Sequence, residues 1–297
     1  MWSEEELRDI SPEPPVRRTG ARSLARNLRQ SLAVTNLARA TAHPHELTRG
    51  QNPSVIYAPS RNAHGNFIEA SYRRIAARPE WARRLEKAHT AKRQARPSGP
   101  DEETRAWKEL DTATSSDALL MNIFCYPRVL CGARLTALLG IPSGLEPVFG
   151  YHPKTPRLRD LSDRTEIDMR LGHLLVEAKL TESDFQTAPI RLIERYADFD
   201  SSFDRDELPR TGTGVRSYQL IRGILAAHAE QGTFCVFLDA RRPDLIEEWY
   251  ATLRAVRSYI LQSRLRLLTW QELAATLPRP LQVFLAEKYG IHASPRT

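Results

Sequence analysis

Cysteine is scarce in this chain. Cys125, Cys131 and Cys235 make an odd number with no CxxC pair, which sets aside a disulfide framework and a structural zinc site and makes a reducing, cytoplasmic setting the expectation. Long uncharged apolar runs are missing too. The most apolar stretch, 119–141, carries Pro127, Arg128 and Arg134, so it reads as a buried segment and not a membrane span. The opening MWSEEELRD is acidic and lacks an apolar signal core. No internal repeat, P-loop, GxGxxG, G-x-S-x-G or HExxH pattern occurs, so the sequence gives no support to nucleotide-binding, serine-hydrolase or zincin chemistry.

Basic residues are present in excess. Across 297 residues, 43 lysines and arginines face 36 acids, for a net charge of +7. That balance suits a polyanionic partner, and arginine suits phosphate contacts. The 41% hydrophobic content is enough for a sizeable core. Residues 1–50 read as an N-terminal extension: Pro12, Pro14 and Pro15 break its start, 22–40 can form a helix, and His43, His45 and Glu46 fall in a loop without zinc spacing. Residues 51–297 read as one domain.

The most informative segment is 164–180, RTEIDMRLGHLLVEAKL. Two alternating runs are split by Gly172-His173, which predicts a β-hairpin with a II′-type turn. The turn sets Leu171 opposite Leu174, Met169 opposite Val176, Asp168 opposite Glu177 and Glu166 opposite Lys179. Opposed side chains share a face. One face is then apolar, from Ile167 to Leu180, and the other concentrates Glu166, Asp168, Glu177 and Lys179. Carboxylates on neighbouring strands form a hard-oxygen site for magnesium, with the Ala178 carbonyl as a further oxygen. Lys179 can hold an attacking water or offset charge on a phosphate, which phosphodiester hydrolysis requires. The competing reading is a solvated hairpin face with a Glu166–Lys179 ion pair.

An acid on one strand followed by Glu-x-Lys on the next, here Asp168 and then Glu177-Ala178-Lys179, resembles the PD-(D/E)XK nuclease superfamily of restriction-type enzymes. Ile167 stands where a proline often precedes the aspartate. The stretch 115–130, SSDALLMNIFCYPRVL, with Asn66-Phe67 and Ser71-Tyr72 upstream, is similar to helical segments of bacterial and phage restriction endonucleases, and the resemblance runs on to about Gln219. It implies a Mg²⁺-dependent deoxyribonuclease, with Mn²⁺ as a substitute, acting in restriction, defence or DNA processing. Asp168 and Glu177 would hold the metal, Lys179 would assist the chemistry, Glu69 or Glu166 would add a carboxylate, and Gln219 would reach the site. DNA is the expected partner, a membrane is not, and a homodimer would supply the two sites that a double-strand cut needs. The alternative is a catalytically inactive nucleic-acid-binding protein that keeps the fold; a scaffold role has no positive feature behind it.

The remaining pattern predicts helices over 67–90 with a break at Pro79 and a basic face (Arg73, Arg74, Arg83, Arg84, Lys87, Lys92, Arg93), and over 107–139 with a break at Pro127. A strand is expected at 147–151, charged or mobile loops at 95–103, 154–163 and 200–214, and a helix at 217–229. A buried strand at 233–239, a long helix at 244–261 with Ile260 on its core stripe, a strand at 265–269 and terminal helical segments complete the order. This order predicts an α/β fold, a mixed central sheet flanked by helices with a helical N-terminal extension, and it matches the restriction-endonuclease-like core that the resemblance implies.

Overall fold

A computed structural model of the chain describes residues 19–48, 53–60, 63–89, 106–212 and 214–294. Pro12, Pro14, Pro15, Lys92, Arg93 and the expected loop at 95–103 lie outside them.

Along the chain the principal helices are α1 (Thr19–Ala40), α2 (Glu69–Ala76), α3 (Pro79–Leu85), α4 (Ser116–Phe124), α5 (Tyr218–Ala229), α6 (Pro243–Arg254) and α7 (Arg279–Tyr289). The central sheet uses β1 (Val148–Tyr151), β2 (Ile167–Leu171), β3 (Leu174–Ala178), β4 (Thr233–Leu238) and β5 (Leu265–Thr269), in spatial order β5-β4-β3-β2-β1. β1, β2 and β3 are mutually antiparallel, whereas β3, β4 and β5 run parallel. This is the mixed sheet with helices on both faces that the sequence order predicts. The hairpin has the expected register, Met169 with Val176, Arg170 with Leu175 and Leu171 with Leu174. Gly172 supplies the positive φ, +58°, that the turn demands.

Helices cover both faces of the sheet, which is why β3 and β4 are buried almost throughout. One core packs Met169, Leu171, Leu174 and Val176 against Leu119, Ile123 and Phe124 of α4, Leu28 and Leu32 of α1 and Leu285 of α7. The other packs Leu175 and Val236 against Leu220 and Ile224 of α5 and Trp249 of α6. Among the described residues no helix is long and apolar enough to cross a membrane.

Five expectations need correction. Ile167 does not share the apolar face of Met169; it joins the opposite core with Leu175. The β2–β3 pairing stops at Met169, and Asp168 bends its carboxylate onto the Ala178 N–H at 2.7 Å, so the strand turns over at that point. Residues 155–163 form a hairpin, Thr155–Arg157 with Leu161–Asp163, and not a loop. Arg210–Thr211 and Gly214–Arg216 are strands that pair with each other, and the second also pairs with Thr187–Pro189. The long helix ends at Arg254, because the Arg257 N–H turns aside to the Ser202 carbonyl and Ser258 caps a new short helix. Ile260 is consequently 76% exposed.

α1 is docked on α7 through a buried polar knot. Asn36 donates to the Lys288 carbonyl at 3.1 Å, and Lys288 Nζ donates to Asn36 Oδ1 at 2.8 Å while lying over the rings of Tyr57 and Tyr289. Burial, reinforced by the nearby Arg39 charge, pushes the Lys288 amine well below the ordinary lysine range. The unfolded chain therefore binds a proton that the folded chain lacks. Stability rises with pH from the depressed value up to the ordinary one. Lys288→Met keeps the volume, and Tyr57 still donates to Asn36 Oδ1 at 3.1 Å. The variant is expected to gain about 1–3 kcal/mol at neutral pH and to lose that alkaline rise, read from urea midpoints against pH. A lowered midpoint overturns this account of the knot.

Candidate active site

Asp168, Glu177 and Lys179 meet at the end of the sheet where β2 begins and β3 ends. Lys179 Nζ donates to Glu177 Oε1 at 2.8 Å, and Gln219 Nε2 of α5 donates to the same oxygen at 2.9 Å. Asp168 Oδ2 accepts from the Ala178 N–H. The carbonyl of Lys179 accepts from Trp270 Nε1 at 2.8 Å, and its N–H donates to the Phe237 carbonyl at 2.7 Å, so the Glu-x-Lys strand end is held from two sides. Among the described residues no hydrogen bond uses Asp168 Oδ1 or Glu177 Oε2.

The electrostatics follow from burial and charge. Asp168 keeps some solvent contact, yet its carboxyl group is ringed by protein. That desolvation, with the charges of Glu177 and Asp117, pushes its pKa well above the usual carboxylate range, against the opposing pull of Lys179 and the Ala178 N–H. Burial by itself would lower the Lys179 amine, but the carboxylates of Glu177, Glu182 and Asp168 outweigh it and hold the pKa above the ordinary value. The surrounding carboxylates therefore hold Lys179 in its charged form.

A second layer lies beside this group. Arg84 of α3 forks onto Glu166, at 2.8 Å to Oε2 and 3.1 Å to Oε1, and also reaches Asp117 Oδ2 at 2.7 Å. Lys87 bridges the same two acids at 2.8 and 3.1 Å. Burial would raise the Glu166 pKa, but Arg84 and Lys87 outweigh it and hold it below the usual range. Gly150 is fixed by this layer: its φ is +63°, and a Cβ there would fall 2.3 Å from Arg84 Nη1.

The model of a family described as Restriction Endonuclease associating with ARP matches residues 41–290. The chain belongs to that family. No curated protein and no solved structure matches it. The mixed sheet between two helical layers is consistent with a restriction-endonuclease-like fold.

Against that family frame, the sequence-derived residues divide. The structure brings Asp168, Glu177, Lys179 and Gln219 together. It ties Glu166 to Arg84 and Lys87, and not to Lys179 as the strand register implied. Glu69 lies in an exposed i,i+4 pair with Arg73 at the start of α2. Arg84 and Lys87, expected on a basic surface, turn inward to the acids, and Arg74 caps the carbonyls of Cys125 and Tyr126. In this restriction-endonuclease family member two further acids, Asp117 and Glu182, lie near the same group of residues. Asp117 is buried in the first turn of α4, after the Ser115 N-cap. Glu182 accepts from Ser116 Oγ and the Leu180 N–H at 2.7 Å each. The Ser-Ser-Asp signature of a helix start was the available signal for Asp117.

Among the described residues no group of three or more His, Cys, Asp or Glu side chains is arranged to hold a metal ion by itself. The donor chemistry still fits a divalent ion of the magnesium type: two carboxylates each offer an oxygen without a donor, and the strained ionisation of Asp168 would be relieved by a cation. One or two carboxylates, completed by water and substrate phosphate, are a usual magnesium complement.

Proposed function

We propose that this chain is a metal-dependent endonuclease that hydrolyses DNA phosphodiester bonds in restriction or defence, with a PD-(D/E)XK site at Asp168, Glu177 and Lys179. The observation behind this reading is the pair of donor-free oxygens, Asp168 Oδ1 and Glu177 Oε2, set beside a lysine anchored on the other oxygen of Glu177. Asp168 and Glu177, with the Ala178 carbonyl that lies between Glu177 and Lys179 in the strand, would hold Mg²⁺, and Mn²⁺ would substitute. The bound ion would lower the pKa of a water and neutralise charge on the phosphate. Gln219 fixes the Glu177 carboxylate through Oε1 and leaves Oε2 without a donor. Lys179 keeps its proton and stabilises the negative charge that develops on the scissile phosphate. Arg84 and Lys87 hold Glu166 and Asp117 beside the reacting groups. Glu166 supplies charge balance in this arrangement and Glu69 lies apart from it. A homodimer would cut both strands.

Incubating the purified chain with supercoiled plasmid in Mg²⁺ or in EDTA tests the reading. Nicked or linear plasmid is expected with Mg²⁺ and intact plasmid with EDTA. Equal cutting in EDTA overturns the metal role. Retention of plasmid in a gel with no cutting in Mg²⁺ or Mn²⁺ leaves a binding protein without catalysis.

A further inference from the structure

The hairpin Thr155–Arg157 with Leu161–Asp163 ends in a three-residue tip, Leu158-Arg159-Asp160. Arg159 and Asp160 both have positive φ, +65° and +55°, a conformation that side chains other than glycine adopt at a cost. This tip exposes two leucines, Leu158 at 54% and Leu161 at 56%. Its base is rigid. The Leu158 N–H donates to the Arg195 carbonyl at 2.8 Å, and the Pro156 carbonyl accepts from Ala197 at 3.1 Å. Arg157 pairs with Asp163 and lies over the Tyr196 ring, while the Tyr196 hydroxyl bonds Asp163 and meets the Tyr218 hydroxyl. Tyr218 adjoins Gln219, and Asp163 is five residues from Asp168. The base of the hairpin is thus tied through Tyr196 to Tyr218, the neighbour of Gln219.

We propose that Leu158 and Leu161 form a wedge that enters a base step of duplex DNA and unstacks it beside the cut. This rests on the nuclease reading for its substrate. Apolar side chains inserted between base pairs, flanked by cations on the phosphates, are a known way of kinking a duplex. Here Arg159 is exposed at the tip beside the leucines, Lys154 and Arg164 are exposed at the open end of the hairpin, and none of the three forms an ion pair with a described residue. Reach agrees: three strand residues span about 10 Å, and five more residues span at most about 17 Å. Both lengths together fall within the roughly 34 Å of one duplex turn, so one duplex can meet the tip and the carboxylates at once. A rigid, strained tip is also what insertion needs, since a mobile one would give way before the base stack.

The test is plasmid unwinding, which needs no knowledge of the target sequence. Closed-circular plasmid is relaxed by a topoisomerase I that works in EDTA, with the full-length protein or Leu158→Ala/Leu161→Ala present, and the topoisomers are separated. Wild type is expected to shift the topoisomer distribution in proportion to protein added. The double variant is expected to lose the shift while its plasmid affinity stays within about threefold, because phosphate contacts supply most non-specific binding. Since both leucines are exposed, the circular dichroism melt of the variant should match wild type. A variant that unwinds as well as wild type overturns the wedge and leaves the leucines to a protein contact. A wild type that unwinds but never cuts in Mg²⁺ sinks the nuclease reading alone, and one that does not bind plasmid sinks both.

Discussion

Asp168→Asn is expected to lose plasmid cutting by about 10²–10³-fold or more, the scale of removing one electrostatic partner of a transition state, and to fold at least as stably as wild type. Both halves follow from one fact. The ionised Asp168 carboxylate sits in a desolvated place near Glu177 and Asp117, which raises its pKa. Because the folded value exceeds the unfolded one, the native chain loses stability as pH rises from the ordinary aspartate value to the raised one. Asparagine removes the charge but keeps an oxygen to accept the Ala178 N–H. The variant should therefore lack that pH-dependent loss in urea unfolding, while its capacity to hold a divalent ion collapses. A residue serving only structure would show the reverse pattern: activity kept, or lost together with the fold. A cutting Asp168→Asn protein ends the assignment.

The hairpin was legible because three signals agreed: alternation over ten residues, a glycine at the position that needs positive φ, and an acid on each strand. Gly172 fixes the register and the register brings Asp168 toward Glu177. The central strand at 233–238 was legible for the same kind of reason, an unbroken apolar run of strand length. What escaped were features with no local period. Arg84 and Lys87 lie in a run of basic residues, and nothing in the sequence tells which of them turn inward; that depends on Glu166 and Asp117, 82 and 33 residues from Arg84. The 155–163 hairpin escaped because its tip, Leu158-Arg159-Asp160, carries no glycine at its two positive-φ positions, and its pairing is upheld by the neighbouring 195–197 segment. Ile260 was misplaced because helical periodicity continues through 255–258 although the helix does not.

The acids at this end of the sheet differ sharply in how they are compensated. Glu166 and Asp117 share two cations, Arg84 and Lys87, whereas Asp168 forms no ion pair with a described residue: it accepts the Ala178 N–H and feels the charges of Lys179 and Arg84 from farther off. A site designed only for stability would spread its cations evenly. The uneven allocation leaves negative charge where an ion and a phosphate would meet, and it keeps the flanking acids from competing for that ion.

Arg84→Ala is accordingly expected to produce the largest loss of stability among single substitutions here, about 3–5 kcal/mol, the cost of breaking a buried ion pair from one side. Arg84 and Asp117 expose only 11% and 8% of their side chains, so solvent screens their pair little, while the 29% exposure of Glu166 and the surviving Lys87 place the loss toward the lower end. Arg84→Lys should recover only part of it, since an ammonium cannot fork onto Glu166 and reach Asp117 together. Adding Glu166→Gln to Arg84→Ala should restore stability by removing one stranded charge, a coupling that a double-mutant cycle reads directly. Activity should move in a way that simple unfolding does not. With Arg84 gone, Asp117 and Glu166 act on Asp168 with less compensation and hold its proton more tightly. The acid limb of the cutting rate should then shift to higher pH, and more Mg²⁺ should be needed for half-maximal rate. An unshifted acid limb in a folded Arg84→Ala protein would show that the clamp stabilises the domain without tuning the site.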